Sequence, residues 1–351
     1  AVTTGSDNTL IGDSAGGALT TGSNNIAIGS ASLLAATTAS DNVAIGYKAL
    51  TANTSGTDNV AIGYQAGDAV TTGIDNTFVG DDAGTAATTS SQNTGIGSDA
   101  LKATSTGADN TAVGKGALSA NTTGANNTAL GIKALETTTT VSGLTAVGHD
   151  ALTANTSGTF GTAVGFNALA ANTTGIRNTA LGSGALDVNT TGERNVGLGQ
   201  DALGACTTGS RNVAVGQAAL DAVTTQANNT AIGYASLSAA EASDNTAVGY
   251  FALLNNTTGT NNLGVGKDAG KAITTGDQNT IIGSLCHDNL TTGDLHTAIG
   301  YNLAPSAVDV DGEVVIGSNI SGGGANTVRI GVTAGNATLA LDGSDTSWAA
   351  S

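Results

Sequence analysis

Residues 42–63 read NVAIGYKALTANTSGTDNVAIG, so the string NVAIG returns after 17 residues. The aliphatic–glycine pair that ends this string recurs along nearly the whole chain. Its glycines lie 17 residues apart from Gly12 to Gly233 and from Gly249 to Gly317. One step of 16 residues joins these two runs, and a last step of 14 reaches Gly331. Repeats of this length indicate stacked structural units, each built from one repeat.

Three positions before each anchor glycine stands a β-branched residue, with Leu263 as the exception among twenty repeats. The residue directly before the glycine is always Ile, Val or Leu, and the one between is usually Ala. Side chains alternate along a strand, so these three residues predict a short strand with one aliphatic and one small face. The small face would allow another backbone to approach closely.

Asparagine opens this strand in fifteen of the twenty repeats. In stacked coils these amides would bond one another as a ladder. The anchor glycine is expected to adopt a conformation closed to other residues, or to make room at a corner. The predicted ladder includes Asn8, Asn25, Asn42, Asn59 and Asn76, and the predicted anchors include Gly12, Gly29, Gly46, Gly63, Gly80, Gly97 and Gly114.

An Ala–Leu pair follows three and four residues after most anchors, and the sequence leaves open whether it forms a second strand or one helical turn. Thr-Thr-Gly segments such as 122–124 predict polar turns. Seventeen residues are too few for two helices. They fit one coil of an all-β, parallel β-solenoid or β-roll, with about twenty coils stacked at ~4.8 Å into a rod on the order of 95 Å long. We expect residues 1–304 to form this shaft, and residues 305–351 to form degenerate final coils and an end segment.

Composition excludes several classes of protein. The chain has 351 residues with 52 Gly, one Pro, no Met and 11% charged residues, so it lacks the large side chains that fill an ordinary enzyme core. Collagen needs a three-residue glycine period, which is absent. A net charge of −17 argues against nucleic acid as a partner. No run approaches 18 apolar residues, so we expect no membrane insertion.

In a single such solenoid each coil buries few large aliphatic side chains. The hydrophobic free energy gained by this burial is smaller than the conformational-entropy cost of ordering the backbone of the coil. A second buried surface is therefore expected, and the alanine face is the candidate. We expect an elongated parallel homotrimer, with a dimer left open by the repeat symmetry. Association would also protect strand edges.

The strings Asn42–Gly46 and Asn59–Gly63 resemble the head repeats of trimeric autotransporter adhesins. Those heads are trimeric parallel β-rolls, with a repeat close to the 14-residue final interval found here. The fuller pattern, NTAIGYxAL followed by NTTG over residues 5–300, looks more like repeats of bacteriophage tail fibres.

Residues 326–351 resemble the stretch before an intramolecular chaperone that trimerises phage fibres and then cleaves itself off. By this resemblance the chain would be a chaperone-released product ending at Ser351, and a fragment of a longer protein is the alternative that the sequence leaves open.

Candidate chemistry is sparse. His296 replaces a ladder asparagine, with Cys286 and His287 nearby, but paired ligands at zinc-site spacing are absent. A tolerated substitution is therefore favoured, and no metal, cofactor or catalytic residue is predicted. Cys206 and Cys286 are some five coils apart and should not pair. Carboxylates after the anchors, such as Asp81 and Asp201, are interpreted as a solvated face.

Aromatic residues directly after an anchor glycine are candidates for contact with a receptor sugar, although corner packing is the favoured interpretation. They are Tyr47, Tyr64, Phe166, Tyr234, Tyr250 and Tyr301.

The sequence therefore predicts a non-enzymatic, extracellular structural and host-attachment fibre, part of a virion tail or a similar machine. It would present a multivalent surface to a host-cell receptor, either a glycan or a surface protein. A bacterial trimeric surface adhesin head is the alternative. An ice-binding or carbohydrate-binding solenoid is the alternative from another class, and a polysaccharide-degrading spike is disfavoured because it needs larger coils.

Overall fold

The computed structural model describes residues 2–333, 335–340 and 349–350. The chain divides into two compact units, an N-terminal unit of residues 1–177 and a C-terminal unit of residues 178–351. Secondary structure among the described residues consists of strands and turns, without a helix.

The N-terminal unit contains ten strands of three residues each. They are β1 (Thr9–Ile11), β2 (Ile26–Ile28), β3 (Val43–Ile45), β4 (Val60–Ile62), β5 (Thr77–Val79), β6 (Thr94–Ile96), β7 (Thr111–Val113), β8 (Thr128–Leu130), β9 (Thr145–Val147) and β10 (Thr162–Val164).

The C-terminal unit continues the pattern and then lengthens its strands. They are β11 (Thr179–Leu181), β12 (Val196–Leu198), β13 (Val213–Val215), β14 (Thr230–Ile232), β15 (Thr246–Val248), β16 (Leu263–Val265), β17 (Thr280–Ile282), β18 (Thr297–Tyr301), β19 (Val314–Ser318), β20 (Thr327–Val332), β21 (Gly335–Ala340) and β22 (Ala349–Ala350).

Within each unit, successive strands pair in parallel and in the register of the repeat. Val43 pairs with Val60 and Ile45 with Ile62, 17 residues on. The 14-residue step is accommodated too, because Ile316 pairs with Ile330. Each unit is thus a parallel β-solenoid, as the repeat predicted, and each 17-residue coil carries one strand. At the end of the C-terminal unit, β20 pairs antiparallel with β21, and β21 pairs antiparallel with β22.

The middle residue of each strand points into the coil. Ala44, Ala61 and their counterparts are fully buried within the single chain. The expectation that the alanine face packs against another chain is therefore wrong. The coil closes over this face with its own leucine: a Cβ added at Gly197, an inward strand position, would lie 3.4 Å from the Leu186 side chain. The aliphatic residues on either side of the alanine point outward instead.

The Ala–Leu segment forms neither a strand nor a helical turn. It is a run of turns in which the leucines adopt left-handed backbone angles, such as φ 50° at Leu50. Its backbone amides bond the next coil; the N–H of Leu33, for example, donates to the carbonyl of Ala49 at 2.9 Å. Burial of the leucine side chain offsets the ~1 kcal/mol that this conformation costs.

Glycine replaces this leucine where the strand already supplies bulk. Phe78 takes the inward position of β5, and Gly67 and Gly84 flank its ring; a Cβ at Gly84 would lie 2.5 Å from that ring. A Cβ at Gly270 would likewise meet Ile281 at 3.1 Å. The inward strand position and the position usually held by leucine therefore compensate each other in size. Together they fill the interior to a nearly constant volume.

The anchor glycines stack directly above one another with φ between about 129° and 148°. A Cβ at Gly46 would collide with the carbonyl oxygen of Gly63 in the next coil. Glycine is required there for both reasons. The boundary expected after residue 304 remains a prediction, and the end-segment residues 341–348 and 351 lie outside the described residues.

Candidate functional surface and a buried polar cluster

The asparagines that open the strands form a buried ladder. The backbone N–H of Asn59 donates to Oδ1 of Asn42 at 3.1 Å, and its Nδ2 donates to the Gly73 carbonyl at 2.9 Å. Oδ1 of Asn59 in turn accepts the backbone N–H of Asn76 at 3.0 Å. The ladder therefore satisfies backbone groups that have no access to water.

A second buried polar row lies seven residues after the anchors and was missed by the sequence analysis. Asn53 is fully buried, its Nδ2 donates to the Gly56 carbonyl at 3.1 Å, and its Oδ1 accepts the N–H of Gly56 at 2.8 Å. The Asn-Thr-Thr-Gly string that carries this row was interpreted only as a turn. Asn53 thereby satisfies both backbone hydrogen-bonding groups of Gly56 at the corner of the coil.

The outward strand residues form a two-row surface, called the outer face below. One row consists of the residues three positions before the anchor glycines, mostly Thr and Val, and the other of the residues directly before these glycines, always Ile, Val or Leu. None of these residues is buried in the single chain. Ile62, Leu130 and Leu181 are 38%, 47% and 49% exposed. The aliphatic row comprises Ile11, Ile28, Ile45, Ile62, Val79, Ile96, Val113, Leu130, Val147 and Val164 in the N-terminal unit, and Leu181, Leu198, Val215, Ile232, Val248, Val265, Ile282, Ile299, Ile316 and Ile330 in the C-terminal unit.

The six aromatic residues after the anchors are all exposed, by between 44% and 55% of their surface. Two pairs from successive coils stack on each other. The ring centroids are 5.4 Å apart for Tyr47 and Tyr64, and 5.3 Å apart for Tyr234 and Tyr250. Phe166 lies 5.7 Å from the His149 ring. These aromatic rings therefore pack against the neighbouring coil and at the same time remain about half exposed to solvent.

A groove of about 520 Å³ lies on the N-terminal unit, lined among others by Lys102, Lys115, Lys133 and Glu136. Lys102 bridges Asp82 at 3.1 Å and Asp99 at 2.7 Å. Its hydrogen bond lowers the pKa of the Asp99 carboxyl. The groove gathers three of the ten basic residues of an acidic chain, but Lys102 and Lys133 are already paired with carboxylates.

Both cysteines are buried and unpaired. Burial raises the pKa of the Cys206 thiol to about 11 and that of Cys286 to about 12. Neither is a nucleophile at neutral pH, because the thiolate is the reactive form.

Three buried side chains converge in the C-terminal unit: His287, His296 and Glu313. One potential ligand atom from each lies within 4.8 Å of the others. His287 takes the place of the usual leucine, while His296 and Glu313 take ladder positions in successive coils. Sequence reasoning singled out His296 but favoured a tolerated substitution. It did not bring in Glu313.

Comparisons of the chain with protein-family models, with curated proteins and with solved structures found no match. The described residues include no helix long and apolar enough to cross a membrane. Function must therefore be inferred from the outer face, the exposed aromatic residues and the buried polar cluster themselves.

Proposed function

We propose that the chain is a subunit of an extracellular, non-enzymatic attachment fibre in which three copies associate through their outer faces. The exposed aliphatic row carries this proposal. Each unit presents ten large aliphatic side chains in line, one per coil. Monomeric soluble proteins rarely expose a continuous apolar patch of this kind, and larger patches mark sites of association.

The partner that fits best is a second and third copy of the same chain. Identical copies offer the same row with the same 17-residue period, so aliphatic side chains can interdigitate coil by coil along each unit. Parallel copies align like residues around one axis, and a closed symmetric assembly leaves no row uncovered. A trimer is the expected assembly, and a dimer is the nearest alternative.

Such an assembly presents each surface feature three times. The exposed tyrosine pairs and the lysine-lined groove lie off the strand face and remain available in the assembled fibre. Aromatic rings stack on sugar rings, so a cell-surface glycan is the receptor class that these features suit. Triple presentation raises avidity without new contacts. A phage tail fibre and a bacterial surface adhesin head both use this mechanism.

The first experiment measures the native mass by light scattering and sedimentation velocity. A mass near three times 33.6 kDa is expected. A mass near twice 33.6 kDa would replace the trimer by a dimer, and a monomer at micromolar concentration would overturn the proposal.

Matched variants locate the interface. Ile62→Asp, Ile96→Asp and Leu130→Asp together place charges on three coils of the outer face, and they should shift the protein towards monomer. Thr38→Asp adds a charge at an exposed turn position and should leave the assembly intact. An unchanged mass for the triple variant would place the interface elsewhere.

A second function is favoured by one observation. Seven successive strands, from β5 to β11, begin with an outward threonine, at residues 77, 94, 111, 128, 145, 162 and 179. The six of these threonines in the N-terminal unit line up at the strand spacing, and such a regular array would suit ice binding if the outer face were uncovered. Thermal hysteresis in a monomeric preparation would support this function, and its absence would remove it.

A further inference from the structure

The last asparagine of the ladder is Asn279, and other polar residues take the ladder positions after it. Asn279 still donates its amide to the Gly293 carbonyl at 3.0 Å, but the next two ladder positions hold His296 and Glu313. At the same place the buried leucine position holds His287. Three metal-ligating residue types thus replace Asn, Asn and Leu where the stacking brings those positions together.

The ring of His296 is held in a defined tautomer. Its Nε2 lies 2.6 Å from the Val310 carbonyl oxygen, which can only accept, so Nε2 carries the proton. Nδ1 therefore presents a lone pair, and this buried atom has no hydrogen-bond partner. A histidine that donates one ring N–H to a backbone carbonyl and points the other nitrogen inward has the arrangement typical of a metal ligand.

The ring of His287 is fully buried, and neither of its nitrogens has a hydrogen-bond partner. The rings of His287 and His296 meet edge to face with their centroids 5.1 Å apart, so two imidazoles share one buried site. A neutral imidazole is the form that ligates metal ions. A buried imidazole without hydrogen-bond partners destabilises the fold unless something binds it.

The carboxylate of Glu313 is also fully buried. Oε2 accepts the N–H of Ser306 at 2.9 Å, and Oε1 accepts the N–H of Gly324 at 2.7 Å. These bonds fix its orientation and leave each oxygen a further lone pair. Within the described residues, no Lys, Arg or His nitrogen lies within 4.0 Å of it. A buried carboxylate without a cation is unfavourable.

We propose that His287, His296 and Glu313 bind one divalent first-row transition-metal ion, for which zinc is the best match. Two imidazoles and a carboxylate form a set that zinc accepts, whereas calcium and magnesium prefer oxygen ligands. Neighbouring ligand atoms around tetrahedral zinc lie roughly 3.4 Å apart. Small side-chain rotations close the present separations, at most 4.8 Å, to that distance.

The ion would act as a structural clamp. His287, His296 and Glu313 belong to three successive coils, so one ion cross-links the coils after the last ladder asparagine, Asn279. The site lies inside one chain and needs no second copy. Its stoichiometry is therefore one ion per chain whatever the assembly.

The test uses the full chain, stripped with a chelator and titrated with ZnCl2 by calorimetry and with CoCl2 by visible absorption. We expect one Zn²⁺ per chain with a micromolar or tighter Kd. At a hundredfold excess over that Kd, Tm should rise by about 2 °C or more. Absence of binding up to 100-fold molar excess of Zn²⁺ would overturn the proposal.

Variants that restore the repeat residue keep the test independent of folding. His287→Leu, His296→Asn and Glu313→Asn each introduce the residue that most other coils carry at that position. Each should weaken Zn²⁺ binding by at least about 100-fold while the circular dichroism spectrum stays that of the wild type. His149→Asn removes an exposed histidine outside the cluster and should bind normally. Undiminished Zn²⁺ binding by a variant that combines His287→Leu, His296→Asn and Glu313→Asn would disprove the site.

Discussion

Asn59 and Glu313 occupy the same position of the repeat, four residues before an anchor glycine, and both are fully buried. Around Asn59 the stacked coils provide a partner for every polar atom. Around Glu313 they provide two backbone donors and two histidines, but no cation among the described residues. At the ladder position, regular stacking thus satisfies the buried polar groups by itself. A departure from the repeat satisfies them only if another group is supplied.

Phe78 is an apolar residue that departs from the repeat, because most strands carry alanine at this position. Gly67 and Gly84, which flank its ring, have no side chain and so make room for it. Phe78→Ala restores the usual alanine but leaves a void, so we expect a loss of about 3–5 kcal/mol in the free energy of unfolding, measured by urea denaturation. Adding Gly84→Leu should recover at least half of this loss. No recovery in the double variant would show that the two positions do not share one volume.

Breaking the ladder in its regular part should have the next largest effect. Asn59→Leu leaves the Gly73 carbonyl and the Asn76 N–H buried without partners, so we expect a loss of about 2–4 kcal/mol. The measurement is the urea midpoint followed by circular dichroism. Thr38→Ala, at an exposed turn position, should change it by less than about 0.5 kcal/mol. Equal midpoints for both variants would refute the role of the ladder.

Extending the ladder should stabilise the metal-free protein. In His296→Asn the new Nδ2 can donate to the Val310 carbonyl, as His296 does now, and the new Oδ1 can accept the N–H of Glu313. We expect a gain of about 1 kcal/mol in chelator. With Zn²⁺ present the order should reverse, because the variant lacks a ligand. If His296→Asn is less stable than the wild type both in chelator and with Zn²⁺, the result would contradict the proposed difference between the regular ladder around Asn59 and the cluster around Glu313.

Cys206 should show the smallest change. Its thiol has a pKa of about 11, so raising the pH from 7 to 9 should leave its alkylation by iodoacetamide negligible in the folded protein. Unfolding in urea should expose it to rapid modification. Fast labelling of the native protein at pH 9, located by mass spectrometry, would indicate that this coil opens.

Much of the fold could be predicted from the sequence because each coil repeats its local chemistry. The strand, the asparagine at its start and the glycine at its end recur at the same spacing, and stacking brings equivalent residues together. The link between His296 and Glu313 also follows from this period, since they are 17 residues apart. His287 does not share it, and only the turn that folds its ring inward places it beside them.

The sequence by itself determined the repeat, the parallel register and the need for glycine at the corner. Only the tertiary structure decided which strand face points inward, because alternation separates Ala44 from Val43 and Ile45 without saying which side the coil encloses. The answer depends on volume. In most coils the interior already holds a leucine and has room for little more than a methyl group opposite it, so the larger side chains face outward.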